Sequence, residues 1–190
     1  MRARLVKWLM TRDRSPAFIR LIEIRLLTHL AACTFHVRAP RLPLSAGSAL
    51  AAYADFTVRC MEETSVTPET VFEMARRLGT CVRRLSGLRD PRDLRQLVIW
   101  LYRNIRITLS GSLPGRITVS ACFFSTRYSP AQCAMMSNVD SGIISGLFGG
   151  GQLVFIERLT EGCGHCTACF GRSGNVSAAD QPKSSTRRTP

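Results

Sequence analysis

Three cysteines at intervals of three, Cys163, Cys166 and Cys169 in "EGCGHCTACF", are the residues of this chain best equipped for chemistry. Zinc takes four nitrogen or sulfur ligands in a tetrahedron, and a C-x2-C turn supplies two of them. Cys163 and Cys166 have that spacing, Gly164 eases the turn, and Cys169 reaches the same ion after one more bend. The fourth ligand has to come from elsewhere. Cys133 follows Pro130 in the first turn of an expected helix, where the helix dipole favours a thiolate. Glu157, on the strand leading to the cluster, offers an oxygen instead. The expectation is one structural zinc held among Cys133, Cys163, Cys166, Cys169 and Glu157. The competing reading is that Cys133 and Cys169 are small core residues, because free cysteine is often buried and the second C-x2-C pair of a ribbon or finger is missing.

Two further readings of the thiols carry less. "CGHC" is identical to the active-site motif of protein disulfide isomerases, but there the first cysteine opens a helix, and here "TACFG" reads as strand or turn. C-x2-C-x2-C is part of an iron–sulfur run whose closing C-P is absent. His29, Cys33 and His36 fall on one helical face, which an inward-facing core cysteine explains more cheaply.

Local chemistry predicts the elements that position these groups. "SPAFIRLIEIRLLTHLAACTFHV" reads as a helix capped by Ser15, with Phe18, Leu21, Ile22, Leu26 and Leu30 on its apolar period. Helices follow at about 46–61, from Thr67 to about Leu85, and after Asp90, the last two with proline in the first turn. "IRITLS" and "RITVSACFF" around "GSLPG" predict a β-hairpin. A capping box from Ser129 to Gln132 opens another helix that "GGG" ends, "QLVFIERLT" is a strand, and "TACFG" a short last one. The sum is an α+β domain over residues 15–170, N-terminal helices packed with a small antiparallel sheet carrying one inserted helix. Residues 1–14 read as a basic extension, and 171–190, without apolar periodicity, as a disordered basic tail.

The 190 residues carry a net charge of +13, concentrated at the two ends: +7 over residues 1–41 and +3 over 171–190. No helix-turn-helix or zinc-finger spacing accompanies it, so no specific nucleic-acid partner is expected. A module that binds a protein partner through its basic termini is one alternative. No apolar run approaches the ~20 residues of a membrane span, and Lys7 interrupts the only signal-like start. The chain is therefore expected in the cytoplasm without integral membrane association, its thiols reduced.

From Arg116 to Phe170 the order "ACFFS", "SPAQC", "SGIISGLFGG", "LVFIER", "EGCGHCTACF" resembles the 4-vinyl-reductase-type (V4R) domain, a small α+β module of bacteriochlorophyll enzymes and bacterial sensors of aromatic compounds. The resemblance implies a small-molecule-binding or sensory role. In zinc-containing members it implies ligands from a helix-start cysteine, a strand glutamate and two later cysteines. Cys133 and Glu157 match the first two. Thr160 stands where a later cysteine is expected, so Cys163 or Cys166 would replace it, with Cys169 closing the set. The closing T-E-G…C…F pattern is also similar to the 2-amino-thiazoline-4-carboxylate hydrolase family. That similarity implies an alternative thiol-dependent hydrolase, with Cys133 or a cluster cysteine as nucleophile and Asp140 or His165 assisting.

On the inserted helix, Met135, Val139, Gly142 and Gly146 share a face, and Met136 and Asp140 share its neighbour with Cys133. The two glycines allow close approach of either a packed strand or a ligand. The binding expectation is an apolar pocket lined by Trp100, Tyr102, Met136, Asp140, Gly142 and Gly146, taking a small hydrophobic or aromatic molecule. A homodimer is compatible with this reading.

Overall fold

Helix caps decide most of the chain's punctuation. The structure, a computed structural model, describes residues 2–10 and 16–171. Among these, six helices and four strands form the expected α+β fold. The order is α1 (Arg2–Met10), α2 (Ala17–Thr34), α3 (Ala46–Glu63), α4 (Pro68–Ser86), α5 (Pro91–Asn104), β1 (Ile107–Gly111), β2 (Gly115–Cys122), α6 (Pro130–Phe148), β3 (Gln152–Glu157) and β4 (Cys166–Gly171). Thr67, Asp90 and Ser129 each accept a backbone N–H from the first turn of α4, α5 and α6. Gln132 returns the bond to the Ser129 N–H at 2.9 Å and completes the capping box. Gly87 and Gly149 close α4 and α6 in the left-handed conformation that glycine adopts without penalty. The expected cap Ser15 lies outside the described residues, and Pro16 occupies the N-cap position of α2.

The sheet runs β1-β2-β4-β3, every pair antiparallel. The strand read as a short last one is thus an interior strand, flanked by β2 and β3. Side chains alternate across it. Ile117, Val119, Leu153, Cys166, Ala168 and Phe170 lie on the buried inner face. Val154, Thr167 and Cys169 point to the other. The helices cover the inner face, and the core lies between the two layers.

Two expectations about the helices are corrected. The face of α2 carrying Phe18, Ile22 and Leu26 is not the buried one; these three are 63%, 51% and 55% exposed. α2 instead turns Ile24, Thr28, Ala31 and Ala32 inward. Small residues let it approach α3, where Ala49 and Ala54 are fully buried. Thr28 enters without a polar penalty because its hydroxyl donates to the Ile24 carbonyl at 2.8 Å. Residues 2–10, expected outside the domain, form α1 against α4 and α5. Ala3, Val6 and Met10 are partly buried on the core, and Lys7 pairs with Asp93 at 2.6 Å. Deleting residues 1–10 should therefore cost on the order of 2 kcal/mol, mostly apolar area returned to water. Urea denaturation of the truncated protein measures this, and an unchanged midpoint would show that α1 adds nothing. The tail read at 172–190 lies outside the described residues.

Candidate functional site

A cavity of about 150 Å³ separates the inner face of the sheet from the helices. The period-2 alternation of β1, β2 and β3 supplies one wall: Ile107, Leu109, Ile117, Val119, Leu153 and Phe155. The segment after β2 supplies an aromatic end. There Phe124 stacks on Tyr128 with ring centroids 5.2 Å apart and meets Tyr53 of α3 edge-on at 6.0 Å. Tyr128 and Thr57 share a hydrogen bond of 2.7 Å between their hydroxyls. The lining is overwhelmingly apolar, as small-molecule sites are, with a few polar groups set into it.

Those polar groups come from three helices. Asp140 of α6 accepts the Tyr102 hydroxyl of α5 at 2.7 Å through Oδ1. Burial pushes the Asp140 carboxyl up to about 6, against the stabilising Tyr102 bond. Glu23 of α2 accepts the Asn104 side-chain amide at 2.8 Å. Burial pushes Glu23 up to about 8, while Asn104 and the Arg20 charge pull it down. Tyr102 is raised by burial and by the Asp140 carboxylate beside it, with a smaller contribution from Glu23. Both carboxyls thus border one cavity with Tyr102 in the field of each.

Three thiols also line the cavity: Cys122, Cys133 and Cys166. Burial raises all three, Cys122 to about 12. The Leu159 N–H donates to the Cys166 sulfur at 3.3 Å, and Arg158 lies near Cys133 and Cys166, but neither reverses the effect of burial. Cys133 does stand in the first turn of α6 as expected. Its thiol is nonetheless raised, and burial is the largest cause.

The five residues expected to hold zinc are not brought together. Cys133 and Cys166 face the cavity. Cys166 and Cys169 are an odd number apart on β4, so Cys169 lies on the opposite face, across from Val154 of β3. A β-bulge between Phe155 and Glu157 turns Glu157 to that same outer face. There it accepts the Thr167 hydroxyl at 2.7 Å and sits 3.5 Å from His165 Nε2. Cys163 precedes the strand in the loop that leads to it. Among the described residues no three His, Cys, Asp or Glu side chains are grouped to hold a metal ion. The donor set implied by the 4-vinyl-reductase resemblance therefore does not fit a single ion.

Of the expected ligand residues, Tyr102, Met136 and Asp140 line the cavity; Trp100, Gly142 and Gly146 do not. Trp100 packs at the edge of the core, its indole N–H buried and without a hydrogen bond among the described residues. The glycine face of α6 meets α4. A Cβ on Gly142 would collide with the Phe72 carbonyl, and one on Gly146 with the Arg76 carbonyl. Gly79 of α4 makes the reciprocal approach to the Ile143 carbonyl. The space left by these glycines is filled by backbone. Sequence reasoning missed Glu23, Tyr53, Phe124 and Tyr128. Glu23 had a signal: it is the one acid inside the apolar run "AFIRLIEIRLL".

Compared with known proteins, the chain matches no family model, no curated protein and no solved structure.

Proposed function

We propose that this domain binds a small hydrophobic molecule of about one aromatic ring in the cavity between its sheet and helices, in the manner of a ligand-binding or sensory module. One observation carries the reading: a cavity of about 150 Å³ with an apolar lining and a few oriented polar groups, Tyr102 with Asp140 foremost, set into its wall. An engineered apolar cavity of about this size holds benzene. The similarity to 4-vinyl-reductase-type domains over residues 116–170 supports the same reading. Structural zinc is not part of it, because Cys169 and Glu157 stand across the sheet from Cys133 and Cys166. The hydrolase reading is less well supported. The cavity thiols are raised by burial rather than activated, and His165 pairs with Glu157 on the outer face. The free cysteines suit a reducing compartment such as the cytoplasm. No helix among the described residues is long and apolar enough to cross a membrane.

Filling the cavity tests the proposal. Val119→Phe adds a ring at a buried wall position of β2. The variant should stay folded, since its added volume enters vacant space, with an overpacking cost of at most ~1–3 kcal/mol. Toluene and related single-ring compounds should raise the melting temperature of the wild type and not of the variant. Equal shifts in both proteins, or none in the wild type, would overturn the assignment.

A further inference from the structure

The cavity contains more acid than a hydrophobic ligand needs. Glu23 and Asp140 reach it from α2 and α6, and neither has an ion-pair partner within 4 Å among the described residues. Asp140 uses only Oδ1, toward Tyr102, and Glu23 uses only Oε2, toward Asn104. A third group is also left over. Tyr53 is 4% exposed and lines the cavity, yet its hydroxyl makes no hydrogen bond among the described residues, whereas the neighbouring Tyr128 hydroxyl is paired with Thr57. A hydroxyl that lines a cavity in this way is available to a ligand's donor or acceptor there.

We propose that the cavity selects a small aromatic or alkyl ammonium ion, its ring or chain against the apolar wall and its N–H donors shared among Asp140, Glu23 and the Tyr53 hydroxyl. This deepens the ligand-binding reading and rests on it. The surrounding charges favour the assignment. Around Asp140 the groups are Tyr102 from α5, Tyr53 from α3, Tyr128, Cys122 from β2, Cys133 on α6 itself and Cys166 from β4, all neutral or weakly acidic. Around Glu23 they are Arg20 from its own helix, with Asn104 and Tyr102 from α5. Arg158 and Glu161, near Cys133, form a pair 3.1 Å apart. Among the described residues Arg20 is the one cation that acts on either carboxyl, so an incoming ammonium meets two acids and little opposing charge. Neutral alcohols satisfy one of these acceptors, and a carboxylate ligand is repelled by both.

Protons follow from the chemistry. In the empty protein the apolar surroundings keep the two carboxyls largely protonated at mildly acidic pH. A cation stabilises their ionised forms, so binding releases protons and tightens as pH rises from about 5 to 8. A neutral ligand has no such dependence.

Benzylamine, benzyl alcohol and toluene share a ring and differ in the polar group. Titration calorimetry of the full chain with each, at pH 5.5 and 8 in two buffers of different ionisation enthalpy, reads affinity and proton release together. The expected result is benzylamine at least tenfold tighter than both neutral compounds at pH 8, weaker at pH 5.5, with net proton release. Glu23→Gln/Asp140→Asn should remove the preference and the proton release while toluene affinity stays within about threefold. That variant keeps both acceptor oxygens for Asn104 and Tyr102, so its fold is expected to survive. Toluene binding with no amine preference would overturn the cation assignment and leave the cavity reading standing. Binding by none of the three would overturn both. An amine preference that persists in the double variant would also overturn it, since the carboxyls would not be its source.

Discussion

Gly146→Val is expected to cost about 4 kcal/mol or more and to leave little folded protein at 37 °C, because what blocks the new side chain is backbone. A Cβ there meets the Arg76 carbonyl oxygen, the Thr80 nitrogen and the Gly79 carbonyl carbon of α4. A flexible side chain turns aside at small cost, but a helix backbone moves as a unit. To admit the methyls, α4 and α6 must separate along a crossing that also holds Gly79 against Ile143 and Gly142 against Phe72 and Ala75. With a typical total of ~5–15 kcal/mol, a loss of this size takes most of the stability. Gly164→Ala is the control. Nothing lies within 4 Å of a Cβ at Gly164, so that variant should unfold within about 0.5 kcal/mol of the wild type. Urea denaturation followed by circular dichroism measures both. A Gly146→Val midpoint close to that of Gly164→Ala would mean the helices do not cross where the structure puts them.

The same glycines show what a sequence does and does not disclose. Period and punctuation were readable: proline after a capping residue, the capping box at Ser129, the β-branched hairpin and the closing glycines all describe local geometry, and the elements formed there. The α+β class followed from those elements alone. Which neighbour a face meets is a long-range question. A small-residue face on α6 fits a ligand, a strand or a helix equally well, and only the close approach of α4 decides it. The cysteines failed for a related reason. The spacing of Cys163, Cys166 and Cys169 describes proximity along the chain, and in β4 an odd spacing sends side chains to opposite faces. The bulge before Glu157 reverses its side as well, and no composition rule anticipates a bulge. Gly164, taken as easing a metal-binding turn, has open space around it. Asp140 and Tyr102 were found because each is the polar exception on an apolar helix face. Glu23 is the same kind of exception, on a helix whose buried face was assigned wrongly.

Between pH 5 and 8 the ligand-free protein should lose several kcal/mol of stability as pH rises, opposite to the trend set by surface carboxylates. The sign follows from Asp140, raised from 3.8 to about 6, and Glu23, raised from 4.5 to about 8. In this window the unfolded chain has released both protons, while the folded protein holds that of Asp140 up to about pH 6 and that of Glu23 up to about pH 8. The unfolded state binds fewer protons, so unfolding becomes easier with each rise in pH until both groups ionise in the folded state. At 1.36 kcal/mol per pH unit the upper bounds within the window are ~1.5 kcal/mol for Asp140 and ~4 kcal/mol for Glu23, reached only if solvent in the cavity does not relieve them. Glu73 and Glu69 act in the other direction: arginine partners hold Glu73 down at about 2, and backbone and Thr67 hydrogen bonds lower Glu69. Their contribution is present above about pH 4.5 and lost below it, so it does not overlap the window. The buried thiols titrate above it. Glu23→Gln/Asp140→Asn removes both ionisations and keeps both hydrogen-bond acceptors. Its melting temperature should be nearly flat from pH 5 to 8 and should exceed that of the wild type at pH 8 by ~5 °C or more, at ~2–4 °C per kcal/mol for a chain of this size. A wild type whose stability is constant across the window, or a double variant that keeps the slope, would mean the carboxyls are solvated in the folded protein. Without two uncompensated acids in an apolar wall, the cavity would have no physical reason to prefer a cation.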